Sequence, residues 1–282
     1  MADSIRTVLA DAMARLTPGS ETAVLDAEVL LGHCLGRNRA FLRAWPEHRL
    51  NPEQQRQYAD LIAQRQAGMP VAYLIGRREF WSRNFRVNPD VLIPRADSEL
   101  LVELCLQLIP EAQACKILDL GAGAGILAIT LAAERPEANV LAVDICPKAL
   151  DIAASNARAL NVPNVRFLLS DWTANVADKD FDIIISNPPY IAATDPHLRQ
   201  GDLRFEPELA LISPDNGLKD IRMIASQSCE HLKIDGHLLI EHGYNQPTEV
   251  QAIFAACHYE TIRTHADLSG QPRVTRGVWK PL

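Results

Sequence analysis

The sequence predicts an α/β protein in which a small helical bundle and a β-hairpin precede a mostly parallel sheet of seven strands. Helical spacing of apolar residues fills the first 75 residues, and aromatic and β-branched residues become frequent from residue 76. From about residue 97, strand and helix patterns alternate. Parallel strands require crossover connections, so this alternation indicates a sheet with helices on both faces. We expect three segments: 1–75, 76–94 and 95–282.

Capping and stop residues delimit the helices of the first segment. Residues 3–4 can cap an amphipathic run, Gly36 ends a second one, and Asn51 with Pro52 opens a third that Gly68 ends. In the third segment, strand-like patterns lie at 116–120, 139–143, 165–169, 181–186, 237–241, 259–265 and 273–279.

Composition and charge exclude several classes of protein. The chain has 28 Lys and Arg against 35 Asp and Glu, a net charge of −7, which gives no general attraction to nucleic acid or an anionic membrane. Its six cysteines form no C-x-x-C pair, which favours reduced thiols over disulfides or a zinc site. No apolar run is long enough to span a bilayer. We therefore expect a cytoplasmic protein that binds no metal and no membrane.

A glycine-rich turn follows the first strand of the third segment. Asp119 precedes Gly121, Gly123 and Gly125, and Asp144 ends the next strand. Glycines let a ligand approach the backbone, and a carboxylate at the second strand end can accept both hydroxyls of a ribose. The spacing differs from the G-x-G-x-x-G of NAD sites, and no Lys-Ser/Thr follows as in a triphosphate loop. The turn therefore favours S-adenosylmethionine, with a simple tight turn and a solvated Asp144 as the alternative.

The tetrapeptide Asn187-Pro188-Pro189-Tyr190 follows the strand 181–186 directly. Ligands bind beyond the carboxyl ends of strands in doubly wound sheets, so we expect it beside the glycine turn. The prolines fix the backbone and lack N–H groups, so the Asn187 side-chain oxygen and the Pro188 carbonyl can accept both hydrogens of a planar –NH₂ group. Tyr190 can pack against that group. The pattern predicts methyl transfer to an amide or aromatic amine, mainly by positioning; a Pro-Pro turn beside a buried tyrosine is the alternative.

With these motifs, the chain resembles over almost its full length the PrmC/HemK family, the protein-(glutamine-N5) methyltransferases of peptide-chain release factors. The further segments that carry the resemblance are 68–76 (GMPVAYLIG), 79–81 (EFW), 91–95 (VLIPR) with 97–99 (DSE), 205–207 (FEP), 209–211 (LAL), 215–218 (DNGL), 241–243 (EHG) and 273–275 (RVT).

The resemblance implies an enzyme that methylates the glutamine of the Gly-Gly-Gln loop in release factors, using S-adenosylmethionine. It implies a helical substrate-recognition domain over 1–75, a hairpin linker over 76–94 and a Rossmann-like methyltransferase domain over 95–282. Cofactor binding is expected at Asp119, Gly121, Ala122, Gly123, Ala124, Gly125, Asp144, Asp171, Trp172 and Asn187. Catalysis is expected at Asn187, Pro188 and Tyr190, and substrate binding at these three and Pro189. Ala122 and Ala124 replace threonines that are frequent in the family's loop.

Other activities share the motifs or the fold. The sister enzymes methylate a glutamine of a ribosomal protein, and the same tetrapeptide suits the exocyclic amine of a flipped adenine. A non-enzymatic binding module would have lost the glycine turn or the tetrapeptide, and both are intact. The net charge argues against nucleic acid as a direct partner, and the resemblance implies release factors as the protein partner. Arg37, Arg39 and Arg43 form either a basic face for an acidic protein or a solvated surface. His242, beside Glu241, is expected to pack or face solvent.

Overall fold

The computed structural model describes residues 3–110 and 113–281. Two compact units make up the chain: one comprises the residues up to Arg77 with Arg199–Phe205, and the other Arg78–Leu198 with the residues from Glu206 onward. The hairpin from Arg78 onward therefore groups with the second unit. Residues 199–205, which the sequence places in the third segment, group with the first unit because Asp202 pairs with Arg65 (3.2 Å) and Arg204 lies against Gly68.

The first unit is a bundle of helices, as predicted. It contains α1 Ile5–Leu16, α2 Ala23–Leu35, α3 Arg39–Ala44, α4 Pro52–Gln66 and α5 Val71–Ile75. Ser4 caps α1, Asn51 and Gln54 form a capping box at α4, and Gly36 ends α2 with a left-handed φ of 62°. The short helices α3 and α5 have too few turns to give a periodic signal in the sequence.

Two of the three clustered arginines pair with a buried acid of the same unit. Glu28 is 6% exposed and accepts from Arg39 Nε at 2.5 Å and from Arg43 Nη2 at 3.4 Å. The Arg37 guanidinium lies 5.1 Å from the centre of the Phe41 ring. This cluster therefore stabilises the bundle, while the Arg43 side chain keeps 67% of its surface exposed.

The predicted hairpin is formed by β1 Arg77–Phe80 and β2 Arg83–Arg86. Trp81 and Ser82 connect the strands with φ values of 50° and 56°, as a two-residue turn between antiparallel strands requires. Phe80 and Phe85 are buried in one core of the second unit. The Trp81 backbone N–H donates to Glu99 (2.9 Å), which fixes the turn on the helix that follows.

The second unit confirms the α/β fold with a mostly parallel seven-stranded sheet. The strand order is β5-β4-β3-β6-β7-β9-β8, and β9 runs antiparallel to the other six of these strands. The strands are β3 Lys116–Leu120, β4 Asn139–Asp144, β5 Val165–Leu169, β6 Phe181–Ser186, β7 Leu232–Glu241, β8 Tyr259–Ala266 and β9 Pro272–Trp279. The helices are α6 Glu99–Leu108, α7 Ile126–Glu134, α8 Pro147–Ala159, α9 Pro214–Gly217, α10 Lys219–Ser228 and α11 Pro247–Ala256.

Alternating strand residues enter two separate cores. In β3, Ile117 packs with α6 and α7, whereas Leu118 and Leu120 pack with α10 and α11. Successive side chains of a strand point to opposite faces, so helices cover both sides of the sheet. Within the described residues, no helix has both the length and the apolar character needed to cross a membrane.

The register brings the predicted motifs to one edge of the sheet. Leu120 of β3 lies beside Val143 of β4 and Ser186 of β6, and Ser186 lies beside Ile240 of β7. The chain therefore leaves four adjacent parallel strands at the same level. Strand order reverses at β3, where ligands bind in doubly wound sheets.

Candidate active site

A cavity of about 220 Å³ lies in the second unit beyond the carboxyl ends of β3, β4, β5 and β6. Its walls also include residues 90–98 and 207–212. Nine of the expected site residues line it: Gly121, Ala122, Gly123, Ala124, Asp144, Asp171, Trp172, Asn187 and Pro189. The structure thus brings the glycine turn and the tetrapeptide to one cavity, and it leaves Asp119, Gly125, Pro188 and Tyr190 outside the lining.

The three glycines of the turn all adopt left-handed φ values, between 53° and 84°. A Cβ on Gly125 would lie 2.7 Å from Ile129 Cδ1 and 3.0 Å from Ala153 Cβ, so Gly125 permits close packing of α7 on α8. A Cβ on Gly123 would meet no atom within 4 Å. Gly123 therefore faces open space at the cavity, while Gly125 serves the packing behind it.

Asp144 holds the turn and the start of α8 together. Its Oδ2 accepts from the Gly123 N–H and its Oδ1 from the Cys146 N–H, both at 2.8 Å. Burial raises the pKa of this carboxyl above its usual value. Each carboxylate oxygen has a further lone pair, so Asp144 can accept more hydrogen bonds from the cavity.

Asp119 lies beneath the turn and has no exposed surface. Its Oδ2 accepts from the Ala128 N–H at 3.1 Å, near the start of α7, while Oδ1 has no hydrogen-bond partner in the described part of the chain. Burial, with the nearby Asp144, raises the pKa of Asp119 to about 7. The carboxyl group therefore supports the helix behind the turn and does not reach the cavity.

Trp172 forms an aromatic wall of the cavity. It follows β5 with a left-handed φ of 46°, and its indole packs on the core beside α10. A Cβ on Gly121 would lie 3.5 Å from Trp172 Cζ3, so glycine leaves the space beside this ring open. Asp171, which precedes the ring, is exposed at the cavity.

Asn187 is held by a chain of hydrogen bonds. Its Nδ2 donates to Ser98 Oγ at 2.9 Å, and the Ser98 hydroxyl donates to Glu241 Oε2 at 2.7 Å. The Tyr190 hydroxyl donates to the other oxygen, Glu241 Oε1, at 3.3 Å. One carboxylate at the end of β7 therefore connects to both polar side chains of the tetrapeptide.

Burial dominates the electrostatics of this cluster. Glu241 is 1% exposed, and burial with the nearby Asp97 raises its pKa to about 7 against the opposing effects of Ser98, Arg273 and Tyr190. Burial and the Glu241 carboxylate raise the pKa of Tyr190, so its hydroxyl stays protonated and donates.

Ser98 and Glu241 were not among the expected site residues, although both stand in segments that carry the family resemblance, 97–99 and 241–243. Ser98 is separated from Asn187 by 89 residues along the chain. The available signal was the position of Glu241 at the carboxyl end of a parallel strand adjacent to β6. His242 itself is buried, with its imidazole bound to Thr275 Oγ1 (2.8 Å) and the Gly243 carbonyl (2.9 Å), and it does not line the cavity.

Glu206 joins two walls of the cavity and was also missed. Its side chain has no exposed surface; it accepts from the Ile93 N–H at 2.9 Å and forms an ion pair with Arg95. Arg95 and Pro207 both line the cavity. The buried carboxylate thus fixes the segment after the hairpin against the segment that follows the tetrapeptide.

Comparisons with known proteins identify the fold and the family of this chain. The family models named Methyltransferase small domain and PrmC N-terminal domain match residues 97–201 and 7–76. Among solved structures, a 16S rRNA methyltransferase of T. thermophilus in complex with AdoMet and guanosine aligns with a TM-score of 0.54 and 19% identity, covering 72% of this chain and 50% of that one. A methyltransferase from Pyrococcus furiosus aligns with a TM-score of 0.54 and 14% identity, covering 79% of this chain and 100% of that one. These structures share the fold.

Full-length relatives are much more similar in sequence. The release factor glutamine methyltransferase of Shewanella oneidensis is 44% identical over all of this chain and 99% of its own length. The enzyme of Escherichia coli is 46% identical over 92% of this chain and 93% of its own length. The enzyme of Pseudomonas aeruginosa is 43% identical over 98% of this chain and 99% of its own length. The resemblance seen in the motifs is confirmed, and the chain belongs to the release factor glutamine methyltransferase family.

Proposed function

We propose that this chain transfers a methyl group from S-adenosylmethionine to the side-chain amide nitrogen of the glutamine in the Gly-Gly-Gln loop of release factors. Membership of the family confirms the expected enzyme class and cofactor. The observation that carries the substrate assignment is the bond from Asn187 Nδ2 to Ser98, because it leaves the Asn187 oxygen free to accept from a substrate amide at the cavity.

The residues of the cavity suit S-adenosylmethionine. Trp172 offers a flat apolar wall for the adenine, and Asp144 offers a carboxylate for the ribose hydroxyls. The glycine turn leaves backbone exposed without Cβ atoms, as at Gly123, where a bound group can approach closely. Carboxylates at Asp144 and Asp171 favour a cationic cofactor over a phosphorylated one. When bound, this cofactor supplies an electrophilic methyl group on a sulfonium.

The tetrapeptide holds the substrate nitrogen. An amide nitrogen is a weak nucleophile because its lone pair is delocalised into the carbonyl. Asn187 Oδ1 and the Pro188 carbonyl would accept its two hydrogens, which orients the nitrogen and increases its electron density. Tyr190 would pack on the planar amide, with its hydroxyl anchored by Glu241. Once it carries the methyl group and a positive charge, the nitrogen would release one of its two hydrogens as a proton to water, so no strong base is required beforehand.

We assign recognition of the release factor to the helical segment 1–75. Arg37, Arg39 and Arg43 lie together there, and Arg43 keeps most of its side chain exposed while it pairs with Glu28. Such a surface is complementary to an acidic protein. Because release factors act in translation, we place this activity in the cytoplasm.

The substrate is tested with the purified chain and labelled S-adenosylmethionine. Separate reactions contain a release factor, its Gln→Ala loop variant, ribosomal proteins and duplex DNA. We expect label only on the release factor, on glutamine nitrogen by mass spectrometry. Label on DNA or on ribosomal protein alone, or label that survives the Gln→Ala change, would overturn the proposal. Asn187→Ala should remove most turnover while cofactor binding, measured by calorimetry, largely remains.

A further inference from the structure

We propose that Glu241, acting through Ser98, is a positioning residue that fixes the Asn187 side-chain amide with its oxygen toward the substrate. The part of this inference that concerns the substrate rests on the proposed function. The hydrogen-bond directions that carry it rest on the geometry of three side chains.

The direction of each bond follows from the ionised carboxylate. A carboxylate has no hydrogen, so Glu241 Oε2 can only accept, and the Ser98 hydroxyl must donate its single proton to it at 2.7 Å. Ser98 Oγ then has only lone pairs left for Asn187. Of the two ends of the Asn187 amide, only the –NH₂ group can donate to them, at 2.9 Å.

Burial protects this order from competition by water. Ser98 has no exposed surface and Glu241 is 1% exposed. A serine hydroxyl in water could exchange hydrogen-bond partners freely. Here the buried Ser98 hydroxyl is hydrogen-bonded to Glu241 and to Asn187 instead. The order of donors is therefore set by the charge of Glu241.

The orientation of Asn187 matters because its amide has two opposite ends. A half-turn about the Cβ–Cγ bond exchanges Oδ1 for Nδ2 with little change in shape. The flipped side chain would present a donor to the donor hydrogens of the substrate –NH₂ group, and the nitrogen would lose its acceptor. The same carboxylate also holds Tyr190 through Oε1, so Glu241 orders both polar side chains of the tetrapeptide.

Adjacent parallel strands make this arrangement possible. Ser186 of β6 and Ile240 of β7 are paired in register, so Asn187 and Glu241 leave the sheet side by side. Ser98 stands between them, immediately before α6. The acid is thus part of the rigid sheet, and it acts on a residue that follows the neighbouring strand.

Protonation of Glu241 would reverse the order of donors. A protonated carboxyl can donate to Ser98, whose hydroxyl can then donate to Asn187 Oδ1 in the flipped state. Burial and Asp97 raise the Glu241 pKa to about 7, and Ser98, Arg273 and Tyr190 oppose this rise. The active orientation is therefore favoured above this pKa and is lost as the pH falls through it.

The kinetic test uses single-turnover methylation of a release factor, with the cofactor Kd measured separately. Ser98→Ala should reduce the rate about 100-fold, because Asn187 loses the acceptor that orients it. In an Asn187→Ala background, Ser98→Ala should cause no further loss of rate.

Ser186→Ala is the matched control, because Ser186 is equally buried and donates to the Leu120 carbonyl at 2.6 Å. The methylation rate of this variant should stay close to that of the wild type. Equal effects of the two serines, or a full Ser98→Ala loss in the Asn187→Ala background, would contradict the inference.

A pH profile separates positioning from a structural role. The wild-type rate should fall below about pH 7, and Glu241→Gln should remove this acidic limb because glutamine does not titrate in that range. An unchanged limb in Glu241→Gln would rule out Glu241 as the group responsible.

Nuclear magnetic resonance gives a readout that does not depend on activity. The Asn187 side-chain –NH₂ signal can be assigned by its loss in Asn187→Asp. Its chemical shift should change with pH, with the same midpoint as the titration of the Glu241 carboxyl group followed by its carbon signal. Ser98→Ala should abolish this coupling between Glu241 and Asn187. If the coupling is present but no glutamine is methylated, the relay is right and the proposed function is wrong. If glutamine is methylated but Asn187 does not respond to Glu241, the function stands and the relay is wrong.

Discussion

Gly217 lies directly against the backbone of Tyr190: a Cβ on this glycine would be 2.0 Å from the Tyr190 carbonyl oxygen. Gly217 also has a left-handed φ of 85°, and the same carbonyl accepts from Gln246 Nε2 at 3.1 Å. The end of the tetrapeptide is thus fixed from outside the cavity by a residue 27 positions along the chain.

Gly217→Ala should displace Tyr190 and remove most methylation activity. The clash and the left-handed φ should together lower the free energy of unfolding by about 3 kcal/mol. Gly270→Ala is the control, since Gly270 has a φ of 79° but a Cβ there would meet no atom within 4 Å. It should cost about 1 kcal/mol and leave activity intact. Denaturant unfolding and turnover measure both variants; equal loss of activity in both would exclude the contact with Tyr190 as the cause.

Gly125→Ala and Gly123→Ala should separate stability from cofactor affinity. A Cβ on Gly125 meets Ile129 and Ala153, so this variant should unfold more easily, by about 2 kcal/mol. A Cβ on Gly123 projects into open space at the cavity, so this variant should lose only about 1 kcal/mol of stability, because of its left-handed φ of 53°, and should weaken S-adenosylmethionine binding by about 10-fold. Calorimetric binding and thermal unfolding test the pair. If Gly125→Ala weakened cofactor binding and Gly123→Ala mainly lowered stability, Gly125 rather than Gly123 would contact the cofactor.

Asp119→Asn should make the fold more stable at alkaline pH. The Asp119 pKa is raised from 3.8 to about 7 in the folded chain, so the folded state binds more protons than the unfolded state between these values. Its contribution to stability therefore decreases as the pH rises from about 4 to 7 and stays low above that. The variant should exceed wild type by about 2 kcal/mol at pH 8, with a smaller difference at pH 4. Unfolding curves at both pH values decide; a difference independent of pH would exclude ionisation of Asp119 as its origin.

Asp144→Asn should weaken cofactor binding by about 10- to 100-fold while the fold is retained. The carboxylate accepts from both Gly123 and Cys146, whereas an asparagine has one acceptor oxygen and would leave one of these N–H groups unpaired. Asp171→Asn, at an exposed position of the same cavity, is the comparison and should have a smaller effect. Calorimetry with S-adenosylmethionine measures both. Equal affinities for wild type and Asp144→Asn would exclude the ribose contact.

The position of the glycine turn was predictable from the sequence, but the separate roles of its residues were not. The turn from Gly121 to Gly125 was recognisable because covalent spacing alone makes a tight turn after a strand. The same spacing could not distinguish Gly123, which faces the cavity, from Gly125, which packs against α8. Asp119 was expected at the cofactor for its place in the motif, but it points beneath the turn because strand side chains alternate between the two faces of the sheet.

The sequence by itself determined the helical bundle, the hairpin, the seven strands and the position of the tetrapeptide Asn187-Pro188-Pro189-Tyr190 directly after a strand, since these depend on local periodicity and on fixed spacing between neighbours. Only the tertiary structure decided that Ser98 and Glu241 orient Asn187, and that residues 199–205 pack with the first unit. The physical reason is that a buried hydrogen bond forms wherever packing brings a donor to an acceptor, and Ser98 and Glu241 are 143 residues apart along the chain. Each residue lies in a segment that carries the family resemblance, but nothing in either segment indicates that the two side chains meet before the sheet places β7 beside β6.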